Sequence, residues 1–235
     1  MKLYVDLHIH SCLSPCGDDL MTPNNIVGMA YLKGLDAIAV CDHNSAKNLP
    51  AVFEVAKMMD VLVLPGVELN TKEEVHMLCY FDELEKALAF GDEIYKYLPD
   101  VKNKPEFFGK QQVMDMQDEE TGTEEKLLIS ALELSFEECA SLCHKFGGLC
   151  VPAHINRGSN GAIGALGFLP MNVKYDAIEY CKDSPLPSHV DISNYKLLRS
   201  SDAHYLENIS EKDFFVEAEE RSVKALFRAI KTTKE

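Results

Sequence analysis

Short apolar, β-branched runs recur along this chain, and one after another they end in a histidine or a carboxylate. Asp36-Ala-Ile-Ala-Val-Cys41 leads into Asp42-His43, and Val61-Leu-Val-Leu-Pro-Gly-Val67 into Glu68. Leu149-Cys-Val-Pro-Ala153 leads into His154, and Leu197-Leu-Arg-Ser-Ser201 into Asp202-Ala-His204, while His76 lies within Val75-His-Met-Leu-Cys-Tyr80. Runs this short, bounded by turn residues, read as strands. Seven strands are expected, at about 2–9, 36–41, 61–67, 75–81, 148–153, 175–180 and 196–200. Helical segments lie between most of them. Thr22-Pro23 opens the first, with an N-cap and a proline in the first turn, and Gly34 closes it. Others are expected near 48–59, 83–97, 135–146 and 218–232. Strands alternating with helices predict an α/β fold with a mostly parallel sheet, open or closed into a barrel.

The first strand carries the most information. In Lys2-Leu-Tyr-Val-Asp-Leu-His-Ile-His10, a period of two puts Leu3, Val5, Leu7 and Ile9 on one face. Tyr4, Asp6, His8 and His10 take the other. Imidazoles two residues apart on a strand, with Cα atoms about 7 Å apart, converge on one ion. Six of the eight histidines fall within or just after expected strands, and the carboxyl edge of such a sheet is where sites assemble. A metal centre is the reading.

These residues also carry a family resemblance. Asp-Leu-His-Ile-His at 6–10, Cys-Asp-His at 41–43, Pro-Gly-Val-Glu at 65–68, Ala-His at 153–154 and Ser-Asp-Ala-His at 201–204 resemble the ordered motifs of the PHP (polymerase and histidinol phosphatase) superfamily. The resemblance implies a distorted TIM-like (β/α)7 barrel with up to three divalent metals at the strand ends. It assigns one metal to His8, His10 and Asp202, with Glu68 bridging to a second that His76 and His154 also hold. A third falls to His43, His204 and the residue before a glycine in the loop after the first strand. The family commonly has His or Asp there; this chain has Cys16, ahead of Gly17. A thiolate suits zinc or iron better than manganese or magnesium. Either Cys16 selects a softer metal, or the site is weak and Asp18 or Asp19 reaches in, or Cys16 is a packing residue.

Two or three ions (Zn, Mn or Fe) held together lower the pKa of a bound water toward ~7 and clamp a phosphoryl group. The expected enzyme is a metal-dependent phosphoesterase acting on a small phosphorylated metabolite or nucleotide. The chain lacks G-x-S-x-G, P-loop and GxGxxG patterns, so neither a serine nucleophile nor a nucleotide loop competes with this reading. Asp42 or His204 is expected to orient the water or the leaving oxygen. Arg157, one of four arginines, is expected to grip phosphate. Glu179 either faces the pocket or is an ordinary paired carboxylate. The alternatives are an exonuclease acting on short oligonucleotides and a non-catalytic metal-binding module.

With 38 acidic against 23 basic residues the formal charge is −15, so attraction to long nucleic acid or an anionic membrane is not expected. No apolar run approaches the ~20 residues of a spanning helix. Asp6, His8 and His10 stand where a signal peptide needs its apolar stretch, and the eight cysteines form no CxxC pair; a cytoplasmic location is expected. Residues 1–235 read as one domain, with a charged insertion near 100–126 that includes a hairpin pairing 111–117 with 124–129. Phe107 and Phe108 are expected to pack that insertion onto the barrel, the alternative being to stack on a base if it folds over the cleft. His144 is read as a helix-end residue, Cys139 and Cys143 as its apolar face, and His189 as a loop residue without a partner.

Overall fold

The computed structural model describes residues 1–170, 172–181, 184–186 and 190–231. His189 and the end of the last expected helix lie outside them. Eleven strands are present among the described residues: β1 Lys2–Ile9, β2 Ala37–Val40, β3 Leu62–Val63, β4 Gly66–Asn70, β5 His76–Tyr80, β6 Gln112–Met114, β7 Glu120–Thr123, β8 Leu149–Pro152, β9 Ile178–Glu179, β10 Leu197–Leu198 and β11 Phe215–Glu217. The helices are α1 Pro23–Leu32, α2 Leu49–Met59, α3 Leu84–Ile94, α4 Pro105–Phe108, α5 Phe136–Lys145, α6 Ala162–Leu166 and α7 Val223–Ile230. All seven expected strand regions contain strand. The third divides around Pro65, which has no N–H to give a ladder.

Four sheets result: β11-β1-β2-β3, β4-β5-β8, β9-β10 and the hairpin β6-β7. Among the described residues these ladders do not close into the expected (β/α)7 barrel; the short sheets are joined through single bridges. His43↔Glu68 links the first sheet to the second, and Ile9↔Ala203 ties β1 to the segment after β10. The expectation of mostly parallel pairing holds for β1-β2, β2-β3 and β9-β10 only. β5 runs against both β4 and β8, and β11 runs against β1.

The core has two layers. Leu3, Val5, Leu7, Ala39, Cys41, Leu78, Tyr80, Val151 and Ala177 pack into an inner cluster. Ile38, Val40, Val67, Leu69, Met77 and Cys79 belong to the cluster that receives α1, α2, α3 and α5, while α7 packs on the inner one through Ala225, Leu226 and Ile230. This two-layer arrangement corrects the face assignment of β1. Ile9 does not share the face of Leu3, Val5 and Leu7: it pairs with Val40 and packs in the helix-facing cluster. A register shift between Asp6 and Ile9 reverses the alternation, as an extra residue in a ladder does. The Leu7 carbonyl released there accepts from Tyr80 Oη at 2.7 Å. His8 and His10 are thereby turned toward the inside, above the Leu3–Val5–Leu7 stack.

The helices begin as their sequences dictate. Thr22 caps α1, and Ser135 and Glu138 form a reciprocal capping box on α5. The insertion is folded rather than loose. Its hairpin is shorter than expected, 112–114 with 120–123, and Gln112 N donates to Cys12 O at 3.0 Å. Asn48 Nδ2 donates to Gln112 O and Met114 N donates to Asn48 Oδ1. Phe107 and Phe108 are not packing residues: they are 76% and 42% exposed. No helix among the described residues is long and apolar enough to cross a membrane.

Candidate metal centre

Glu68 is at the middle of the site. It sits on β4 opposite Leu78 of the inner layer and is fully buried. Its Oε1 lies 3.2 Å from His8 Nε2, 2.9 Å from His76 Nδ1 and 3.4 Å from His154 Nε2. Its Oε2 lies 3.2 Å from His10 Nε2 and 3.2 Å from His43 Nδ1. Asp202 Oδ1 adds contacts of 3.3 Å to His8 and 3.0 Å to His10. His76 opens β5, and because β5 is reversed its first residue arrives at the rim where the parallel strands end. His154 and Asp202 have positive φ, 29° and 53°, a backbone region costly for residues other than glycine and concentrated at functional sites.

Supporting hydrogen bonds fix which ring nitrogen of His8, His10 and His204 faces the centre. His8 Nδ1 meets Glu179 Oε2 at 3.1 Å, and a carboxylate only accepts, so Nδ1 carries the hydrogen and Nε2 presents a lone pair inward. Glu179, buried at the end of β9, also accepts from His154 N at 2.9 Å. His10 Nδ1 meets Ser14 Oγ at 3.0 Å. That hydroxyl gives its one hydrogen to Asp42 Oδ1 at 2.7 Å, so His10 Nδ1 must be the donor. His204 Nδ1 donates to the Asp202 carbonyl at 2.8 Å. Ring N–H groups tied to oxygen acceptors are the usual support of metal-binding histidines.

Asp42 does not meet the interior directly. Its oxygens accept from Ser11 N, Ser11 Oγ and Ser14 Oγ at 2.6–2.7 Å, which makes it a holder of the loop after β1. Asp6 likewise holds the far wall, accepting from Ser201 N and Ser210 N. Arg157 reaches the rim, where Nη1 pairs with Asp202 Oδ2; its side chain is 38% exposed. The sulfur of Cys16 comes within 4.8 Å of ring nitrogens of His10, His43 and His204, although the residue as a whole is exposed. Two further groups meet the same limit: His8, His10, Glu68, Asp202 and His43, Glu68, His76. All expected ligands therefore lie in one cluster. Ser14 is the addition, and nothing local in the sequence singles it out; Glu179, for which the sequence left two readings open, is a paired carboxylate whose partners belong to the cluster.

The electrostatics fit a cation. Burial alone would strip His8 of its proton, but Glu68, Glu179 and Asp202 together hold its pKa well above the ordinary value. Burial likewise opposes charge on His10, yet Asp202 and Glu68 pull its pKa up to about 9. Burial lowers His43 far below the ordinary value and His204 to about 4, so both are neutral at pH 7. Without metal, protonated His8 and His10 face the carboxylates of Glu68, Glu179 and Asp202. Both Glu68 oxygens, both His154 ring nitrogens and His43 Nδ1 remain buried without a hydrogen-bond partner. Buried polar atoms rarely stay so, and a divalent ion is the group that would satisfy carboxylate oxygens and imidazole nitrogens together.

Comparison with known proteins agrees with this geometry. A 5'-3' exoribonuclease of Haemophilus influenzae is 33% identical over 69 residues, 29% of this chain and 24% of its own length. Endonuclease Q of Pyrococcus furiosus, a lesion-specific endonuclease, superposes with a TM-score of 0.68 at 21% identity, over 100% of this chain and 57% of that one. Endonuclease Q bound to a 27-mer duplex with an abasic lesion at its active site gives 0.67 at 20% identity, over 98% and 56%. A proposed metal-dependent phosphoesterase of Bifidobacterium adolescentis gives 0.59 at 17% identity, over 89% and 93%. The match spans about a quarter of the exoribonuclease and just over half of endonuclease Q. With a DNA-acting protein among these neighbours, net acidity is no longer sufficient ground to exclude long nucleic acid. The PHP-domain family profile matches residues 6–220, and the chain belongs to that family.

Proposed function

We propose that this chain is a metal-dependent phosphoesterase that hydrolyses the monoester of a small phosphorylated metabolite or nucleotide. The observation that carries the reading is the pair of buried Glu68 oxygens, unpartnered and ringed by five imidazole nitrogens, with a guanidinium at the rim. His8, His10, Glu68 and Asp202 would hold one ion, Glu68, His76 and His154 a second, and Cys16, His43 and His204 a third. Such ions supply a water of lowered pKa and positive charge for the phosphoryl oxygens. Arg157 turns from Asp202 to the substrate phosphate and fixes its orientation. His204, neutral at pH 7, offers Nε2 as a ligand or an acceptor, and not as an acid. Asp42 is a positioning residue that acts through Ser14 on His10.

The small substrate is favoured by the charge of −15 and by a single guanidinium at the cluster, where a nucleic-acid backbone calls for a basic track. A second reading, exonucleolytic release from short oligonucleotides, is favoured by exposed Phe107 and Phe108, which can stack on a base. They lie on α4, directly before Gly109, whose Cβ position is 2.5 Å from the carbonyl of Pro15, next to Cys16. All eight cysteines are unpaired, which suits a reducing cytoplasmic setting. The test is phosphate release from nucleotides, sugar phosphates and 5'-phosphorylated oligonucleotides with zinc, manganese or iron, each with and without chelator. Chelator-sensitive release from a monoester supports the reading. Release from oligonucleotides only moves it to the second, and silence from metal-loaded protein overturns both.

A further inference from the structure

We propose that Cys16 makes one position of the centre thiophilic, so that it takes zinc or ferrous iron in preference to manganese or magnesium. The inference rests on reading the cluster as a metal centre, and it concerns which metal enters where. Two of the three donor groups contain only nitrogen and oxygen; the third joins Cys16 Sγ to ring nitrogens of His10, His43 and His204. With His10 Nε2 turned to Glu68 and Asp202, the thiolate and the imidazoles of His43 and His204 are three donors, the protein-ligand number of a zinc site with an open fourth position. Thiolate donors favour zinc and iron, whereas manganese and magnesium favour oxygen. On binding, the thiol proton is released to solvent and a sulfur–metal bond forms.

The loop is built to present this sulfur. Ser14 N donates to Ser11 O at 3.0 Å and Gly17 N to Ser14 O at 2.9 Å, winding the chain tightly around Cys16. A Cβ at Gly17 would lie 2.3 Å from the Ser11 carbonyl oxygen, so no larger residue fits the winding. Asp18 N donates to His204 O at 2.9 Å, which fastens the loop to the residue facing Cys16 across the group. The insertion braces it from outside through Gln112 N to Cys12 O and the Lys110–Asp19 ion pair at 2.5 Å. The carboxylates that could replace the sulfur are engaged elsewhere: Asp18 Oδ1 accepts from Leu20 N, and Asp19 is on the surface with Lys110. Cys16 is the one thiol found in such a group among the described residues.

The test loads chelator-stripped protein with cobalt(II) and follows the thiolate-to-cobalt charge-transfer absorption in the near ultraviolet. Wild type is expected to gain this band with one bound equivalent; added zinc bleaches it and added manganese does not. Cys16→Ser is expected to abolish the band and weaken zinc at one equivalent by at least ~100-fold, the upper end for losing a mere supporting partner. Cys181→Ser should leave the band intact, and Cys16→Asp should make manganese competitive at that equivalent. Absence of the band in folded wild type overturns the proposal, as does its survival in Cys16→Ser or its bleaching by equimolar manganese. None of these readouts uses turnover, so failure of the phosphoesterase reading and failure of this one are separable.

Discussion

Glu179→Gln tests how far the centre depends on a residue outside it. The native carboxylate accepts from His8 Nδ1 at 3.1 Å and from His154 N at 2.9 Å, both on Oε2, with Oε1 at 3.3 Å from the same ring nitrogen. Glutamine keeps the volume but supplies one acceptor oxygen and one NH2 group. If that oxygen stays on His154 N, the amide nitrogen confronts His8 Nδ1–H. The ring then escapes by moving its hydrogen to Nε2, which removes its lone pair from the centre. Loss of such a partner costs about 10–100-fold in metal affinity, or about 1.4–2.7 kcal/mol. Because Glu179 serves both His8 and the His154 backbone, the upper half of that range is expected. Competition against a chelator of known affinity measures it, with a thermal melt to verify the fold. A folded variant whose affinity falls by less than ~3-fold would refute the tautomer argument, since that is below the smallest effect expected of a supporting partner.

Other outcomes are equally concrete. Arg157→Lys is expected to raise KM by about tenfold or more with a smaller change in kcat, since an ammonium cannot reproduce two parallel donors; equal KM values would remove Arg157 from phosphate binding. Chelation should lower the melting temperature, because the ion stabilises only the folded state; a melt insensitive to both chelator and added zinc would contradict a metal centre. Asp176 is buried, but His144 Nε2 at 2.7 Å and Cys150 N at 3.0 Å hold its pKa below the ordinary 3.8 against the opposing effect of burial. A depressed carboxylate stabilises the fold above its unfolded pKa and loses that contribution as pH falls through the folded value. Asp176→Asn should therefore cost about 1–3 kcal/mol at pH 7, with the gap from wild type narrowing below pH ~4 in denaturant titrations. A pH-independent gap would remove the ionic part of the argument.

The cluster was legible because apolar strands ending in histidine or carboxylate leave a plain pattern, and because six histidines share it. What the pattern could not carry was direction and phase. Leu7-His8-Ile9-His10 reads the same with or without a ladder shift, and only pairing with β2 shows that Ile9 faces the helices. His76 looked like a mid-strand residue, and the reversal of β5 is what brings it to the rim. β11 escaped notice because three residues, of which only Val216 is buried, pair with Lys2–Tyr4 and are too few to show a periodicity. Asp42 and Glu179 were misweighted for the same reason: both are carboxylates at strand ends, and only their hydrogen-bond partners distinguish a loop holder from a histidine partner.

The bridge between Ile9 and Ala203 bears on how the molecule is made. His10 and Asp202 are separated by 192 positions yet touch. A ribosome releases the first two histidines long before the carboxylate that completes their set, so a nascent chain cannot close that set around an ion. Capture has to wait for the segment after β10 to dock against β1, with His10 N donating to Ala203 O. That set is therefore a clasp fastened last, and its fastening records that β1 and the segment after β10 have found each other.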